Sequence, residues 1–377
     1  MDQTAEQRAM RDVLHEVAVE EIRPLAPECD AEERFPEGVW DRLTELDVTG
    51  MVVPEEYGGL GLDTATYCTV IEEVAYGMLA VSTALGVHSM ACACIDAFAD
   101  DEVKSEWLPE MATGRPVGAF ALSEPQAGSN PREMETVARP IDDGFVIDGT
   151  KQWITNGRRA GVVILFARVD PDDPDSITQF LVPADADGLE VASEETKLGL
   201  RASDTCQLRF EGVHIPEEYR LTAVGEGLRA AFEILNTGRI AIAAQSLGLG
   251  RCAMDDAVAY ANEREQFDRP ISAFQAIRHK LADMETKLET VRLLTYEAAR
   301  RQDVGEPVAK HASMAKLVAS EAAVEIANEA VQIHGGYGYV SETDVERLYR
   351  DAKVTTIYEG TSEIQRKIIA RHVLGGA

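Results

Sequence analysis

The stretch LRAAFEILNTGRIAIAAQSLGLGRCAMDDAVAYANE, residues 228–263, decides the fold class of this chain. It is rich in alanine, it contains no proline and it has no glycine after Gly250, so it predicts one long helix. Two further long helices and a shorter last one are predicted over 273–301, 308–334 and 362–374. Their broad apolar faces are typical of a helical bundle that buries extra surface at subunit contacts. We therefore predict a C-terminal four-helix-bundle domain.

Upstream of this bundle the pattern changes. Short apolar runs alternate with Gly, Pro and Asp, which predicts short strands joined by turns. Four strands are predicted around residues 145–147, 162–166, 179–182 and 208–210. Asp142-Asp143-Gly144 predicts a hairpin turn before the first of them. A middle β-barrel or β-sandwich domain between two helical parts fits this order.

The first part of the chain has apolar residues at helical spacing. Pro24 is expected to kink or end the first helix, over residues 3–29, and Pro36 to start the next. Asp63 is expected to cap a further helix. The fold class predicted is α+β multidomain, with an N-terminal α-helical, a middle β and a C-terminal bundle domain, over 1–113, 114–224 and 225–377. Strands and helices do not alternate, so a doubly wound parallel sheet is not indicated.

The chain is strongly acidic. Its 66 Asp and Glu residues outnumber its 36 Lys and Arg residues, which gives a formal net charge of −30. Such a field repels phosphate backbones and anionic lipid surfaces, so neither nucleic-acid nor membrane-surface binding is predicted. The acids are spread along the chain, which indicates a solvated acidic surface. Adaptation to high salt is a sharper hypothesis. It predicts a lower melting temperature after dialysis into low salt, and an unchanged melting temperature would reject it.

Cysteine and histidine usage indicates free thiols and no metal. The six Cys contain no CxxC pair and the seven His no HExxH motif, so neither a structural zinc site nor a secreted disulfide scaffold is expected. The polar start, Met1–Gln7, has no apolar signal-peptide core. No run of about 18 uncharged apolar residues occurs, which predicts no membrane span. A cytoplasmic location is expected.

The motifs of common nucleotide-binding and hydrolytic enzymes are missing from the sequence: GxGxxG after a strand, GxxxxGK[ST] and GxSxG. Five other segments stand out. They are FALSEPQAGSN (120–130), KQWITNG (151–157), REQFDRPI (264–271) followed by Phe274-Gln275, QIHGGYGY (332–339) and IYEGTSEIQR (357–366).

Each segment alone has a plain structural interpretation beside a functional one. The first could be an ordinary Gly/Ser turn, or a loop that lets a flat ring approach the backbone. Trp153 could lie in the core or against a cofactor. Arg264 could cap a helix or bind a pyrophosphate in a bidentate manner. The paired glycines of the fourth are typical of a helix C-cap. In the fifth, Ser362 to Gln365 could form a capping box, or the helix start could bind an anion.

Together and in this order, the five segments resemble the acyl-CoA dehydrogenase family, most closely its short-chain and short branched-chain members. The resemblance covers essentially the whole chain. It implies FAD as cofactor, an acyl-CoA substrate, an electron-transfer flavoprotein as electron acceptor and a homotetramer. It also implies the reaction, in which a thioester loses its α-proton to a base and its β-hydride to flavin N5, leaving a trans-2-enoyl-CoA. Glu359 falls on the family's catalytic base.

The resemblance also assigns binding residues. Those implied for FAD are Leu122, Ser123, Ser129, Trp153, Thr155, Arg264, Phe267, Gln275, Gln332, Gly335, Gly336, Thr361 and Glu363. Those implied for the acyl-CoA are Ser129, Asn236, Arg239, Tyr358 and Gly360. Decarboxylating, glutaryl-type members need an Arg in the acyl pocket, and residues 77–95 contain none, so a monocarboxylic chain is expected. Gln126 and Asn130 depart from the family pattern, which has Gly and Asp at these positions.

Two other functions remain open from the sequence. An acyl-CoA oxidase would pass its electrons to oxygen, although such chains are usually much longer, and peroxide formation would identify it. A non-catalytic flavoprotein binding module, such as a DNA-associated one, would need a basic face, which the net charge argues against. Salt-dependent retention on DNA would test that alternative.

Overall fold

A computed structural model describes residues 4–375 and shows three blocks along the chain: helices, strands and helices again. The first block contains six α-helices: α1 Ala5–Val17, α2 Ala26–Glu32, α3 Glu37–Glu45, α4 Thr64–Gly77, α5 Leu79–Phe98 and α6 Asp101–Ala112. A π-helical turn and a 3-10 turn, Ala18–Ile22 and Arg23–Leu25, separate α1 from α2. This irregular stretch confirms the predicted break at Pro24, while Gln3, the predicted start of the first helix, lies outside the described residues.

Helix α4 begins at the predicted cap. The Asp63 carboxylate accepts a hydrogen bond of 2.7 Å from the backbone N–H of Thr66 and so satisfies a donor that the helix start leaves free. Both α4 and α5 are almost entirely buried, because α4 packs between α1 and the C-terminal helix α7, and α5 packs between strand β1 and α7. They form the wall against which the functional cavity is built.

Among the described residues, α5 is the one helix that is long and apolar enough to cross a membrane. It has 20 residues with a mean hydropathy of 1.4, but 83% of the tested window is buried inside the protein. His88 and Asp96 interrupt its apolar run. Burial inside the protein is the pattern that core helices show, so length and composition are weak evidence for a span, and its absence stays a prediction.

The middle block is one curled sheet of seven strands: β1 Val117–Ala121, β2 Val137–Ile141, β3 Gly144–Thr155, β4 Ala160–Arg168, β5 Ile177–Pro183, β6 Leu189–Glu194 and β7 Thr205–Pro216. The strand order is β1-β4-β2-β3-β7-β6, with β5 also paired to β4. All four predicted strands are present, and Asp142 and Asp143 form the hairpin loop between β2 and β3. Fully buried side chains such as Ile147, Leu165 and Phe180 fill the inside of the curl.

The third block is helical, as predicted. It contains α7 Gly227–Glu263, the two-residue strands β8 Glu265–Gln266 and β9 Arg269–Pro270, and the helices α8 Gln275–Asp303, α9 Ala309–His334, α10 Val345–Ala352 and α11 Ser362–Val373. Helices α7, α8, α9 and α11 pack as the bundle. Helix α10 was not predicted. The capping box at Ser362 was wrong, because Thr361 is the N-cap and its hydroxyl accepts from Ile364 at 3.4 Å.

The change from helix to strand falls between Ala112 and Val117, and the change back between Pro216 and Gly227. The helical, β and helical order is therefore confirmed. The domain limits after residues 113 and 224 stay predictions, since the structure fixes the elements and not the units that fold on their own.

Candidate active site

A cavity of about 710 Å³ opens where the three blocks meet, within the range of about 300–1,000 Å³ that ligand pockets usually have. Helices α4, α5 and α7, the loop after β1, the end of β3 and the turn before α11 supply its walls. The cavity brings together ten of the predicted site residues: Leu122, Ser123, Ser129, Trp153, Thr155, Arg239, Tyr358, Glu359, Gly360 and Thr361.

Glu359 is held in an unusual backbone conformation at the cavity wall. Its φ is +52° and that of Gly360 is +95°, so two consecutive residues have left-handed geometry, which is costly for a glutamate. The turn aims the Glu359 side chain at α7. There its Oε2 atom is buried and has no hydrogen-bond partner. An unpaired buried carboxylate oxygen is ready to take a proton from something placed in the cavity.

The electrostatics of the site fit a base. Burial raises the pKa of Glu359 to about 7, against the opposing effect of Arg239 and Lys316, whose positive charges favour the carboxylate. A carboxyl with such a pKa is a stronger base than an exposed one, and about half of it is still ionised at pH 7. Gly238 on α7 makes room for it, because a Cβ there would lie 2.2 Å from Oε2 of Glu359.

Arg239 lies beside this carboxylate and is buried. One of its terminal nitrogens donates to Oδ1 of Asn236 at 2.7 Å, while its Nε has no partner. Asn236 therefore orients Arg239 from behind and does not itself line the cavity. Its predicted contact with the substrate stays a prediction.

A buried ion pair fixes the loop after β1, residues 122–129. Lys151 on β3 donates to Oε1 of Glu124 at 2.7 Å and to the carbonyl of Leu122 at 3.2 Å, and both charged side chains are essentially inaccessible. The unusual Gln126 also donates to Glu124, at 2.7 Å. Gln126, which departs from the family pattern, thus adds a hydrogen bond within this loop. Leu122 and Ser123 are presented to the cavity on a rigid support.

Trp153 at the end of β3 is not a core residue. Its side chain is 53% exposed, its φ is +59°, and it lines the cavity with Thr155. The wall formed here is an apolar surface with hydroxyl groups beside it, contributed by Ser123, Ser129 and Thr155. Such a wall fits a flat aromatic ring with polar edges, which is the shape and chemistry of a flavin.

The other predicted cofactor residues are elsewhere. Arg264, Gly335 and Gly336 line a second, more open depression of about 500 Å³ between the end of α7 and the end of α9. Gly335, with a φ of +61°, is the C-cap of α9, which confirms that part of the sequence interpretation. Four further predicted residues line neither the cavity nor the second depression: Phe267, Gln275, Gln332 and Glu363. All four are exposed, and their role across a subunit contact stays a prediction.

Three residues important to the cavity were not predicted from the sequence. Tyr67 and Gln245 line it, and Lys316 lies behind it. Gln245 carried a signal, because it is a polar residue inside the apolar run of α7, and its Oε1 accepts from the hydroxyl of Tyr358 at 2.9 Å. Lys316 carried none, since one lysine on a long helix usually points to solvent.

One group of side chains within residues 4–375 has the composition of a metal site: Cys252, Asp256 and Asp344, with ligand atoms within 4.8 Å of one another. Arg23 pairs with both carboxylates, and Arg347 donates to Asp344 at 2.8 Å. Two guanidinium groups already neutralise these acids and would repel a cation. The expectation that the chain binds no metal stays a prediction.

Comparison with known proteins identifies relatives of this chain. The chain matches the three family profiles "Acyl-CoA dehydrogenase, N-terminal domain" over residues 4–115, "middle domain" over 119–213 and "C-terminal domain" over 225–374. It is 44% identical to the short-chain specific acyl-CoA dehydrogenase of Bos taurus mitochondria, over 97% of this chain and 89% of that one.

Solved structures agree with these matches. The chain is similar to butyryl-CoA dehydrogenase from Megasphaera elsdenii, with a TM-score of 0.97, 36% identity and 99% coverage of both chains. It is equally similar, with a TM-score of 0.97, 38% identity and 99% coverage of both chains, to a chain in a structural study of the electron transferring flavoprotein of Acidaminococcus fermentans.

Proposed function

The chain belongs to the acyl-CoA dehydrogenase family, and from this premise we propose that it converts a short or short branched acyl-CoA into the trans-2-enoyl-CoA. It is an oxidoreductase, and the enzymes of this family depend on FAD. The observation that carries the proposal is the Glu359 carboxylate, which faces the cavity with an unpaired buried oxygen beside Arg239.

The residues of the chain have separate tasks in this reaction. An α C–H next to a thioester is a weak acid, so a carboxylate can remove the proton only where the thioester carbonyl is polarised. We assign proton removal to Oε2 of Glu359 and part of the polarisation to the backbone N–H of Glu359. The largely apolar walls beside Tyr67 and Tyr358 would keep water away from the reacting atoms and so strengthen both interactions.

The cofactor fits the walls already described. Leu122, Ser123, Trp153 and Thr155 would hold the flavin ring, and the start of α11 at Thr361 offers free N–H groups for an anionic part of it. When bound, FAD supplies the acceptor for the β-hydride. The chain's own contribution is position and electrostatics.

The shape and polarity of the cavity favour a short acyl chain with a CoA ester. Gln245 and Tyr358 close part of it with a hydrogen-bonded polar pair, next to Gly86 on α5. The residues of α5 that line it, Thr83, Gly86, Val87 and Met90, include no cation for a second carboxylate. Lys197 and Lys353 line it too, and positive charge there suits the phosphates of CoA on an otherwise acidic chain.

Truncation of Gln245 should change the preference of the enzyme for acyl-chain length. Gln245→Ala removes the amide and opens space for about two methylene groups, each worth about 0.8 kcal/mol. We expect the kcat/KM for hexanoyl-CoA relative to butyryl-CoA to rise about 10-fold. Steady-state assays with both substrates measure the ratio. Ser246→Ala is the matched control, because Ser246 is buried on the same helix and does not line the cavity. An unchanged ratio in Gln245→Ala would place the acyl chain elsewhere.

The partners proposed follow from the same function. Electrons would pass to an electron-transfer flavoprotein, and the similarity to the chain studied with the Acidaminococcus fermentans flavoprotein supports this choice. We propose a homotetramer, in which the second depression is completed by a neighbouring subunit. The six cysteines are free and buried, which supports a reducing compartment such as the cytoplasm.

An anaerobic titration tests the function. The purified yellow protein is mixed with butyryl-, isobutyryl-, isovaleryl- and octanoyl-CoA while flavin absorbance is recorded. Rapid bleaching with one or more of the three short thioesters and slow bleaching with octanoyl-CoA is expected. Absence of bleaching with all four would reject the proposal, and rapid peroxide formation in air after reduction would favour an oxidase.

The rate should depend on pH through Glu359. Only the ionised carboxylate can accept the proton, and its pKa is raised to about 7. Activity is therefore full above this value and falls as the pH is lowered through it, by about 10-fold per unit further down. The pH profile of kcat/KM for the preferred thioester measures the acidic limb, which is the low-pH range over which activity falls. A limb near the ordinary glutamate value would show that the carboxyl is solvated in the working enzyme.

A further inference from the structure

Behind the turn that carries Glu359 lies a lysine that no part of the proposed chemistry uses. Lys316 is on α9 and is fully buried. It does not line the cavity, so it cannot touch an acyl-CoA or a flavin there. Its Nζ donates a hydrogen bond of 2.9 Å to the carbonyl of Gly360. A fully buried ammonium group is costly unless it has a specific partner.

The partner it has is the strained turn. Glu359 and Gly360 both have positive φ, a conformation that persists only where surrounding groups hold it. Two side chains hold this one. Lys316 binds the Gly360 carbonyl, and Nε2 of Gln365 binds the same carbonyl at 2.8 Å and that of Glu359 at 3.2 Å. The turn therefore has one charged and one neutral donor on the same oxygen.

The charged donor also acts on the base through space. We propose that Lys316 is a positioning residue for Glu359, which fixes the turn through Gly360 and keeps the carboxylate ionised with its buried positive charge. This inference rests on the proposed function of Glu359. Lys316 lies outside the cavity, and the sequence did not predict a role for it.

The surroundings of Lys316 are consistent with a charged amine. The groups whose charges reach it are Glu359, Arg239 on α7, Glu321 on its own helix and Glu363 on α11. Glu321 is engaged with Arg366 at the surface, and Glu363 is exposed, so both act through solvent. Glu359 and Arg239 share the interior with it. Burial lowers the pKa of Lys316 to about 8 while Glu359 opposes the change, so the amine is protonated at neutral pH.

Three variants separate the charge from the hydrogen bond. Lys316→Gln removes the charge and keeps a donor near the Gly360 carbonyl, and Lys316→Met removes both. Gln365→Met removes the neutral donor to the same carbonyl and leaves the charge, which makes it the matched control. We expect the acidic limb of the kcat/KM profile to move up by about one pH unit in both Lys316 variants. In Gln365→Met the rate should fall at every pH with the limb where the wild type has it.

A second measurement does not depend on turnover. Infrared difference spectra of the holoenzyme, with Glu359→Gln as the reference, follow the carboxyl band of Glu359 as the pH is changed. The protonation midpoint should move up in Lys316→Gln as the kinetic limb does. FAD content and thermal melting identify misfolded protein, and Lys316→Gln decides the question if Lys316→Met does not fold.

An unchanged limb and midpoint in Lys316→Gln would overturn the inference, and so would an equal shift in Gln365→Met, because it would show that only the turn geometry matters. The infrared midpoint keeps this outcome apart from the failure of the proposed function. If no thioester bleached the flavin, the function would be rejected while the midpoint still reported whether Lys316 controls Glu359.

Discussion

Glu359→Gln is expected to retain FAD and to lose at least about 100-fold in the rate of flavin bleaching by the preferred thioester, since a positioned general base usually contributes between about 100- and 10,000-fold. The amide has nearly the same size as the carboxyl, so the turn at Gly360 and the walls of the cavity should be unchanged. What is lost is the carboxylate to which we assign removal of the α-proton. Anaerobic stopped-flow measurements of the reductive half-reaction give the rate directly.

The matched control for this variant is Glu102→Gln, which makes the same chemical change at an exposed position in the first turn of α6. Its bleaching rate should equal that of the wild type. Retained bleaching in Glu359→Gln, with bound FAD and normal melting, would remove Glu359 from its role. Loss of FAD from the variant would instead show that the carboxylate supports the cofactor site.

Lys151→Met is expected to destabilise the protein by about 3 kcal/mol, the lower end of the cost of leaving a buried charge without its partner. The lower end applies because Glu124 keeps other donors, the backbone N–H groups of Glu135 and Thr136 at 2.6 and 3.1 Å. Chemical denaturation followed by circular dichroism measures the change. Weaker FAD binding should accompany it, because Lys151 also holds the carbonyl of Leu122 in the loop that lines the cavity.

The loss should depend on pH. Burial pushes the pKa of Glu124 up, but Lys151 and the backbone donors outweigh it, so the pKa lies below its usual value in the wild type. The pair therefore adds stability above the ordinary pKa of a glutamate and loses it as the pH falls. In Lys151→Met the effect of burial on the pKa of Glu124 is less strongly opposed, so this pKa rises. Protonation of Glu124 at low pH then removes the uncompensated negative charge. The difference between wild type and variant should shrink towards pH 4.

An exposed pair on the same sheet is the control for this effect. Arg139 contacts Asp148 at 2.6 Å, but both side chains are about half exposed. Arg139→Met should cost less than about 1 kcal/mol, since water screens such pairs. Equal losses in Lys151→Met and Arg139→Met would mean that burial of the Glu124 pair contributes nothing.

Much of the secondary structure of this protein could be predicted from the sequence. The alanine-rich run of α7, the alternating strands and the Asp63 cap depend on local periodicity and local hydrogen bonds, which sequence patterns report directly. The segment around Glu359 was recognisable for the same reason, since its residues are adjacent in the chain. The alternative of a cap at Ser362 was wrong by one residue, because Thr361 and Ser362 are both good caps and only the backbone geometry chooses between them.

The sequence by itself determined the order of helices and strands and, through the family resemblance, the cofactor FAD and the residue proposed as the base. Only the tertiary structure decided that Lys316, Gln245 and the pair of Glu124 with Lys151 belong to the site. Helices α7 and α9 and strand β3 bring these side chains next to partners that lie 27 to 113 residues away in the chain. Burial and long-range contacts set their charges and pKa values, and both arise when the blocks pack together.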